Sequence, residues 1–121
     1  MGFLLWIIAA SLYIFLFPFA VIASCMHYFY KRKFFKAFKA INRDAYITAL
    51  SIDQTGNTTF KHLFNKTLIK RDGYSFGNPD ETISGVLGKN KKLKTLSSLG
   101  RILDGLLEFL DKGHTINAIE E

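Results

Sequence analysis

Hydrophobic residues fill nearly every position from Gly2 to Met26, a stretch without a charged side chain. As a helix, its 25 residues would extend roughly 37 Å, compared with about 30 Å for the hydrocarbon core of a bilayer. No polar stripe follows one side of this helix, which favours a passive anchor over a pore-lining segment. The pattern therefore predicts one transmembrane helix, with a bend near Pro18.

Aromatic and basic residues then alternate from Tyr28 to Ile41. Apolar positions in this stretch recur at helical spacing, with lysines between them, a pattern typical of a helix that lies in the membrane interface. A second, short helix, capped by Asn42 or Asp44, is predicted from Ala45 to the Gly56-Asn57 pair. Residues 45–52 also alternate as a strand would, but the helix is favoured. Residues 31–43 are therefore expected to form a basic juxtamembrane helix that is separate from this second helix.

The remaining chain shows two further helical patterns. Asn78 is suited to cap a helix that starts at Pro79, with Glu81 in a capping box, and Gly88 is predicted to end it. After a solvated basic loop or first helical turn over residues 89–94, leucines spaced by three and four predict a longer helix over residues 93–110, followed by a short tail. The sequence thus predicts an all-α protein with a transmembrane anchor (1–30), a basic juxtamembrane helix (31–43) and a small helical domain (44–121).

The net charge of +6 is concentrated beside the anchor. Residues 44–121 hold equal numbers of acids and bases, so the excess comes from six membrane-surface residues: Lys31, Arg32, Lys33, Lys36, Lys39 and Arg43. Basic residues next to a membrane helix stay on the cytoplasmic side, which predicts an external N-terminus and a cytoplasmic C-terminal domain. The same cluster predicts contact with anionic lipid headgroups, and its position favours the bilayer over nucleic acid as the partner.

An alternative interpretation of the anchor is a cleaved lipoprotein signal, because Ile22 to Cys25 resembles a lipoprotein cleavage site. A signal peptide has a basic start and a shorter apolar run, and the basic cluster after the apolar run here resists translocation. The uncleaved anchor is therefore favoured, and lipidation of Cys25 remains the alternative.

Candidate chemistry is sparse. A single cysteine, Cys25, excludes an intramolecular disulfide and a cysteine-based zinc site. Phosphate-binding loops, nucleophile elbows and metalloprotease motifs are not found in the sequence. We therefore predict no metal, no cofactor and no assigned catalytic residue, and we favour a binding role over an enzymatic one.

Three short motifs occur in order along the second half of the chain. Residues 52–57 read I-D-Q-T-G-N, residues 77–84 read G-N-P-D-E-T-I-S with G-K at 88–89, and D-K-G-H at 111–114 precedes I-E at 119–120. Together they resemble a family of small, mostly uncharacterised proteins of tailed bacteriophages and prophages of proteobacteria, with its D-Q-x-G-N, P-D-E-T-I-S and D-x-x-H motifs. The resemblance covers residues 50–121 and does not extend to the anchor.

This resemblance implies a bacterial host and the bacterial inner membrane, with the virion membrane as an alternative location. Thr115 and Ala118 stand where the family commonly has cysteine and serine, so a His-Cys site is not implied here. The motifs would supply a candidate polar site of seven residues: Asp53, Asn57, Asp80, Glu81, Ser84, His114 and Glu120. Such residues suit acid-base chemistry, but they can equally cap helices and join them by hydrogen bonds.

The functional expectation is a phage- or prophage-encoded single-pass inner-membrane protein that binds an unidentified protein partner at the membrane, in lysis or envelope modification. Self-association is left open. The alternatives are a structural membrane protein of a lipid-containing virion and a membrane-tethered hydrolase or metal-binding domain that uses the polar residues.

Overall fold

Six helices are found in residues 1–31 and 33–119, which are the residues that the structure, a computed structural model, describes. They are α1 (Gly2–Lys31), α2 (Phe34–Thr59), α3 (Lys61–Thr67), α4 (Ile83–Leu93), α5 (Ser98–Leu110) and α6 (His114–Asn117). In this described part no strand forms, and the predicted all-α class is confirmed. Arg32, Glu120 and the side chain of Lys31, all named in the sequence predictions, lie outside the described residues.

The chain divides into two compact units, an N-terminal unit (Met1–Ile47) and a C-terminal unit (Thr48–Glu121). The first contains α1, whose stretch Gly2–Tyr30 has a mean hydropathy of 2.4 in its most apolar part, with none of that part buried. By length and composition α1 can cross a membrane, and it continues through Pro18 as one helix.

The predicted short helix after the juxtamembrane segment does not exist as a separate element. Helix α2 runs without interruption from Phe34 to Thr59, so the expected break near residue 43 is wrong. Asn42 and Asp44 are good capping residues, but each also fits within a helix when its side chain finds another partner. The Tyr28 hydroxyl donates a hydrogen bond to the Asp44 carboxylate, which provides that partner.

The core of the C-terminal unit lies between α4, α5 and the loop after α3. Its centre is α4, from which Val86 and Leu87 are completely buried. An isolated antiparallel bridge joins Ile69 to Leu96 and brings the loop beside the start of α5. The buried hydrophobic cluster consists of Leu68, Ile69, Phe76, Val86, Leu87 and Leu96.

Helix α4 begins at Ile83, after the predicted start at Pro79. Thr82 is the N-cap, and its side chain accepts a hydrogen bond from the Gly85 N–H at 2.9 Å. Asn78 instead closes a turn, because its side chain and carbonyl accept from the N–H groups of Asp80 and Glu81. Asparagine followed by proline suits a turn as well as a helix start, so the local sequence alone did not separate the two.

The end of α4 also differs from the prediction. Gly88 does not stop the helix, which continues to Leu93. Lys94 follows as the C-cap residue, in the left-handed conformation (φ 59°). A Cβ at Gly88 would lie 2.0 Å from the carbonyl oxygen of Thr115 in α6, so glycine here permits close approach of two backbones. Residues 89–93, expected as a basic loop or as the first turn of the next helix, are therefore the last residues of α4.

Helix α5 is shorter than predicted and begins at Ser98 instead of residue 93. Ser97 caps it by accepting from the Gly100 N–H at 3.0 Å. The chain then turns at Gly113 (φ 80°) into the four-residue helix α6, where the sequence predicted only a short tail. Through this turn α6 returns to α4 and α5, and His114 and Thr115 enter the polar part of the fold.

Candidate functional site

The six predicted polar residues that the structure describes, all but Glu120, gather around the start of α4. Asp53, near the end of α2, accepts hydrogen bonds from the Ile83 N–H at 3.0 Å and the Ser84 hydroxyl at 2.9 Å. A longer contact of 3.4 Å joins it to the Ser84 N–H. The carboxylate thus caps the positive end of a helix that belongs to another part of the chain.

His114 extends this arrangement from α6. Its Nε2 lies 3.2 Å from the Ser84 hydroxyl oxygen, and its Nδ1 lies 3.0 Å from an Asp111 carboxylate oxygen. Serine, histidine and aspartate in this order are the groups that nucleophilic hydrolases use. Asp111 was not among the predicted site residues, although its position three residues before His114 is a helix-turn spacing that could have suggested the pair.

The hydrogen bonds of Asp53 argue against hydrolase chemistry at this point. The single proton of the Ser84 hydroxyl has the Asp53 carboxylate as a closer acceptor than His114. An oxyanion hole needs free N–H donors beside the nucleophile, and the Ile83 and Ser84 N–H groups already bond to Asp53. Ser84 is also only 5 % exposed. The arrangement is suited to joining α2, α4 and α6.

Asn57 and Asp80 contribute to the same region through structural contacts. Asn57 is completely buried, and its amide donates to the carbonyls of Asn78 and Glu81 and accepts from the Gly77 N–H. Asp80 is exposed and takes part through its backbone, whose carbonyl accepts from Gln54. Both residues therefore hold the loop before α4 in place.

Glu81 belongs to an ionic group that the sequence did not reveal. Its buried carboxylate forms an ion pair with Lys89 and accepts from the Tyr74 hydroxyl at 3.0 and 3.2 Å. The Lys89 ammonium also lies 4.6 Å from the centre of the Tyr74 ring. The hydrogen bond to Glu81 raises the pKa of Lys89 above its ordinary value.

A second ionic group lies between α4, α5 and α6. The Lys91 ammonium is 3.0 Å from Asp104 and 3.1 Å from Glu108, while the Thr115 hydroxyl donates to Asp104 at 2.7 Å. The Gly113 N–H and Lys91 lower the pKa of Glu108. Burial opposes the charge of Lys91, but its hydrogen bonds to Asp104 and Glu108 outweigh burial, so the pKa of Lys91 is raised.

These shifts predict a plateau of stability between acid and alkaline limits. Because the pKa of Glu108 is lowered from 4.5, its contribution is present above pH 4.5 and is lost as the pH falls through its folded value. Because the pKa of Lys91 is raised from 10.5, its contribution is present below pH 10.5 and is lost as the pH rises through its folded value. Urea unfolding of the full chain in micelles, followed by circular dichroism, should show both losses.

Two variants assign these losses to their groups. Glu108→Gln should reduce the loss of unfolding free energy at acid pH, and Lys91→Met should reduce the loss at alkaline pH. If both variants kept the pH profile of the parent chain, the ionic group would not be its source.

Among residues 1–31 and 33–119, no group of three or more His, Cys, Asp or Glu side chains is placed to hold a metal ion. Comparison with protein-family models, with curated proteins and with solved structures gives no match. The interpretation of the polar residues therefore depends on their geometry.

That geometry predicts that the residues around Ser84 stabilise the fold. Asp53→Ala should lower the free energy of unfolding by about 1–2 kcal/mol, as loss of a helix cap does, and His114→Ala by about 1 kcal/mol. Asp80→Ala is the matched control, because removal of this exposed side chain should change the free energy of unfolding by less than about 0.5 kcal/mol. Unchanged stability of Asp53→Ala and His114→Ala in urea unfolding would contradict the structural role and favour a chemical one.

Proposed function

We propose that this chain is a single-pass membrane protein of a bacteriophage or prophage that acts by binding at the bacterial inner membrane, in lysis or envelope modification. The observation that carries the proposal is α1, which is long enough and apolar enough to cross a bilayer and has no buried residue in its most apolar part. A helix with these properties needs an apolar surrounding, which a bilayer provides. The phage origin rests on the three sequence motifs.

The proposed orientation has the N-terminus outside and the C-terminal unit in the cytoplasm. It is supported by the bases after α1, of which Lys33, Lys36 and Lys39 are exposed. A cytoplasmic reporter fused after Glu121 should be active, and a periplasmic reporter at the same position should be inactive. Activity of the periplasmic fusion alone would contradict this orientation.

For a role in lysis, we expect induced expression of the full chain to admit a membrane-impermeant dye into bacteria. A chain without residues 1–30 should not admit it, because the C-terminal unit would no longer be tethered to the bilayer. A third chain with Lys33, Lys36 and Lys39 changed to glutamine tests whether the exposed bases contribute, and it should admit less dye.

Intact membranes at equal expression of all three chains would contradict the lysis role. Recovery of the full chain in the soluble fraction, instead of with membranes, would contradict the proposal as a whole.

A further inference from the structure

Helix α5 packs Leu103 and Leu107 against the core and leaves its other large apolar residues exposed. Five large hydrophobic side chains on it are more than half exposed: Leu99, Ile102, Leu106, Phe109 and Leu110. Successive residues of a helix are rotated by about 100°, which places these five on an arc roughly 100° wide. We call this set of five residues the apolar face, and Phe109 within it is 86 % exposed.

The acids of α5 point the other way. Asp104 is buried and bonded to Lys91 and Thr115, and Glu108 is bonded to Lys91 and Gly113. A soluble surface helix normally has the reverse arrangement, with its charges toward water. Within Ser98–Leu110, the only charged side chain left facing solvent is the basic Arg101.

A basic groove lies on the flank of α5 that carries Arg101, about 80° around the helix from Phe109 at the edge of the apolar face. It has a volume of about 450 Å³ and is lined by Lys70, Lys91, Lys94, Leu96, Arg101 and Asp104. Lys91 and Asp104 pair with each other, which leaves the three exposed bases as the excess charge of the groove. The Lys70 ammonium donates to the Lys94 backbone carbonyl at 3.3 Å, which places the Lys70 charge at this part of the groove. The groove therefore suits a phosphate-bearing anion.

We propose that the C-terminal unit docks on the bilayer through this surface, with the apolar face at the acyl boundary and the basic groove on the phosphate of an anionic lipid. The inference rests on the proposed function, because α1 would tether the C-terminal unit to a membrane. Exposed apolar residues bordered by bases are the pattern of interfacial helices. In a symmetric dimer through the same surface, the two basic grooves would approach and repel each other.

The test uses the full chain in vesicles of phosphatidylcholine alone or mixed equally with phosphatidylglycerol. An environment-sensitive fluorophore is placed on Phe109→Cys in a Cys25→Ser background. We expect its emission to shift to the blue, and spin-labelled acyl chains to quench it, in the mixed vesicles. The same label at Asp80→Cys is the control, because this exposed residue precedes α4 whereas the groove lies at the other end of that helix.

The charge of the groove is tested with Lys94→Gln/Arg101→Gln. Removing two bases should lower the docking equilibrium constant in the mixed vesicles by about 30-fold. Lys92→Gln/Lys112→Gln makes the same charge change at exposed bases outside the groove and should retain most of the docking. Equal losses in the two double variants would overturn the groove as the lipid site.

Other results separate the inference from the proposed function. A label on Phe109→Cys that stays in water while the chain resists extraction with alkaline carbonate would overturn the docking surface and leave the membrane anchor. Extraction of the chain would overturn the anchor itself. A different result would assign the apolar face to a second copy of the chain: the label emission shifts to the blue, lipid quenchers do not reduce it, and the shift grows with the density of protein in the vesicles. Loss of docking when inorganic phosphate is added would assign the groove to a soluble anion.

Discussion

Gly88→Ala is expected to lower the free energy of unfolding of the C-terminal unit by about 3 kcal/mol. The new Cβ would lie 2.0 Å from the Thr115 carbonyl oxygen and 2.7 Å from its carbon. These are backbone atoms, so α6 as a whole would have to move away from α4. That movement would also stretch the bonds from Thr115 to Asp104 and from His114 to Ser84.

A matched control lies in α5. A Cβ at Gly105 meets nothing within 4 Å, so Gly105→Ala should raise stability by up to about 1 kcal/mol through helix propensity alone. Both variants can be measured by urea unfolding of the full chain in micelles, followed by circular dichroism. The packing of α6 against α4 would be refuted if the two alanine substitutions changed stability in the same direction and by the same amount.

Asn90→Ala is also expected to lower the free energy of unfolding of the C-terminal unit by about 3 kcal/mol. Asn90 is completely buried, and its amide oxygen accepts from the Tyr74 N–H at 2.8 Å and the Thr95 hydroxyl at 2.6 Å. Its amide nitrogen donates to the carbonyls of Tyr74 and Val86. Alanine would leave the Tyr74 N–H and carbonyl without their Asn90 partners, and each buried polar group left unpaired costs about 1–3 kcal/mol unless water reaches it.

Two further variants give this prediction its controls. Asn90→Asp keeps the side-chain oxygen that accepts from Tyr74 and Thr95, but it places a second carboxylate oxygen against the Tyr74 and Val86 carbonyls. It should therefore also lower the free energy of unfolding of the unit at neutral pH. Asn117→Ala changes an exposed asparagine and should alter stability by less than about 0.5 kcal/mol. If Asn90→Ala were as mild as Asn117→Ala in the same urea unfolding measurement, the loop before α4 would not depend on the Asn90 amide.

The polar candidates show where sequence reasoning about a site succeeds and where it ends. The short motifs identified Asp53, Ser84 and His114, and the structure brings these three residues together. Their partner Asp111 and the ionic group of Lys91 were missed. The contacts of Lys91 join residues from different helices, so they depend on how the helices pack, which spacing along the chain does not encode. The Asp111–His114 pair is local, at a spacing of three residues.

Local sequence by itself determined the helical class and the apolar span, because both depend on residue type over a continuous stretch. A run of apolar residues long enough to cross a bilayer needs no partner elsewhere in the chain to be recognised. The residues at which helices begin and end could not be predicted as well from local sequence. Asn78-Pro79 can start a helix or form a turn, and Gly88 can end a helix or admit a neighbouring backbone.

Only the tertiary structure decided between these alternatives. The approach of Thr115 makes Gly88 an interior helical residue, and the ion pair with Lys89 turns Glu81 away from a capping role. Packing also decided which side of α5 faces the core, so that its acids, Leu103 and Leu107 lie toward the core while Leu99, Leu106 and Leu110 are exposed. A periodic pattern indicates that a helix has two faces, but the partners of the buried acids determine which face meets the solvent.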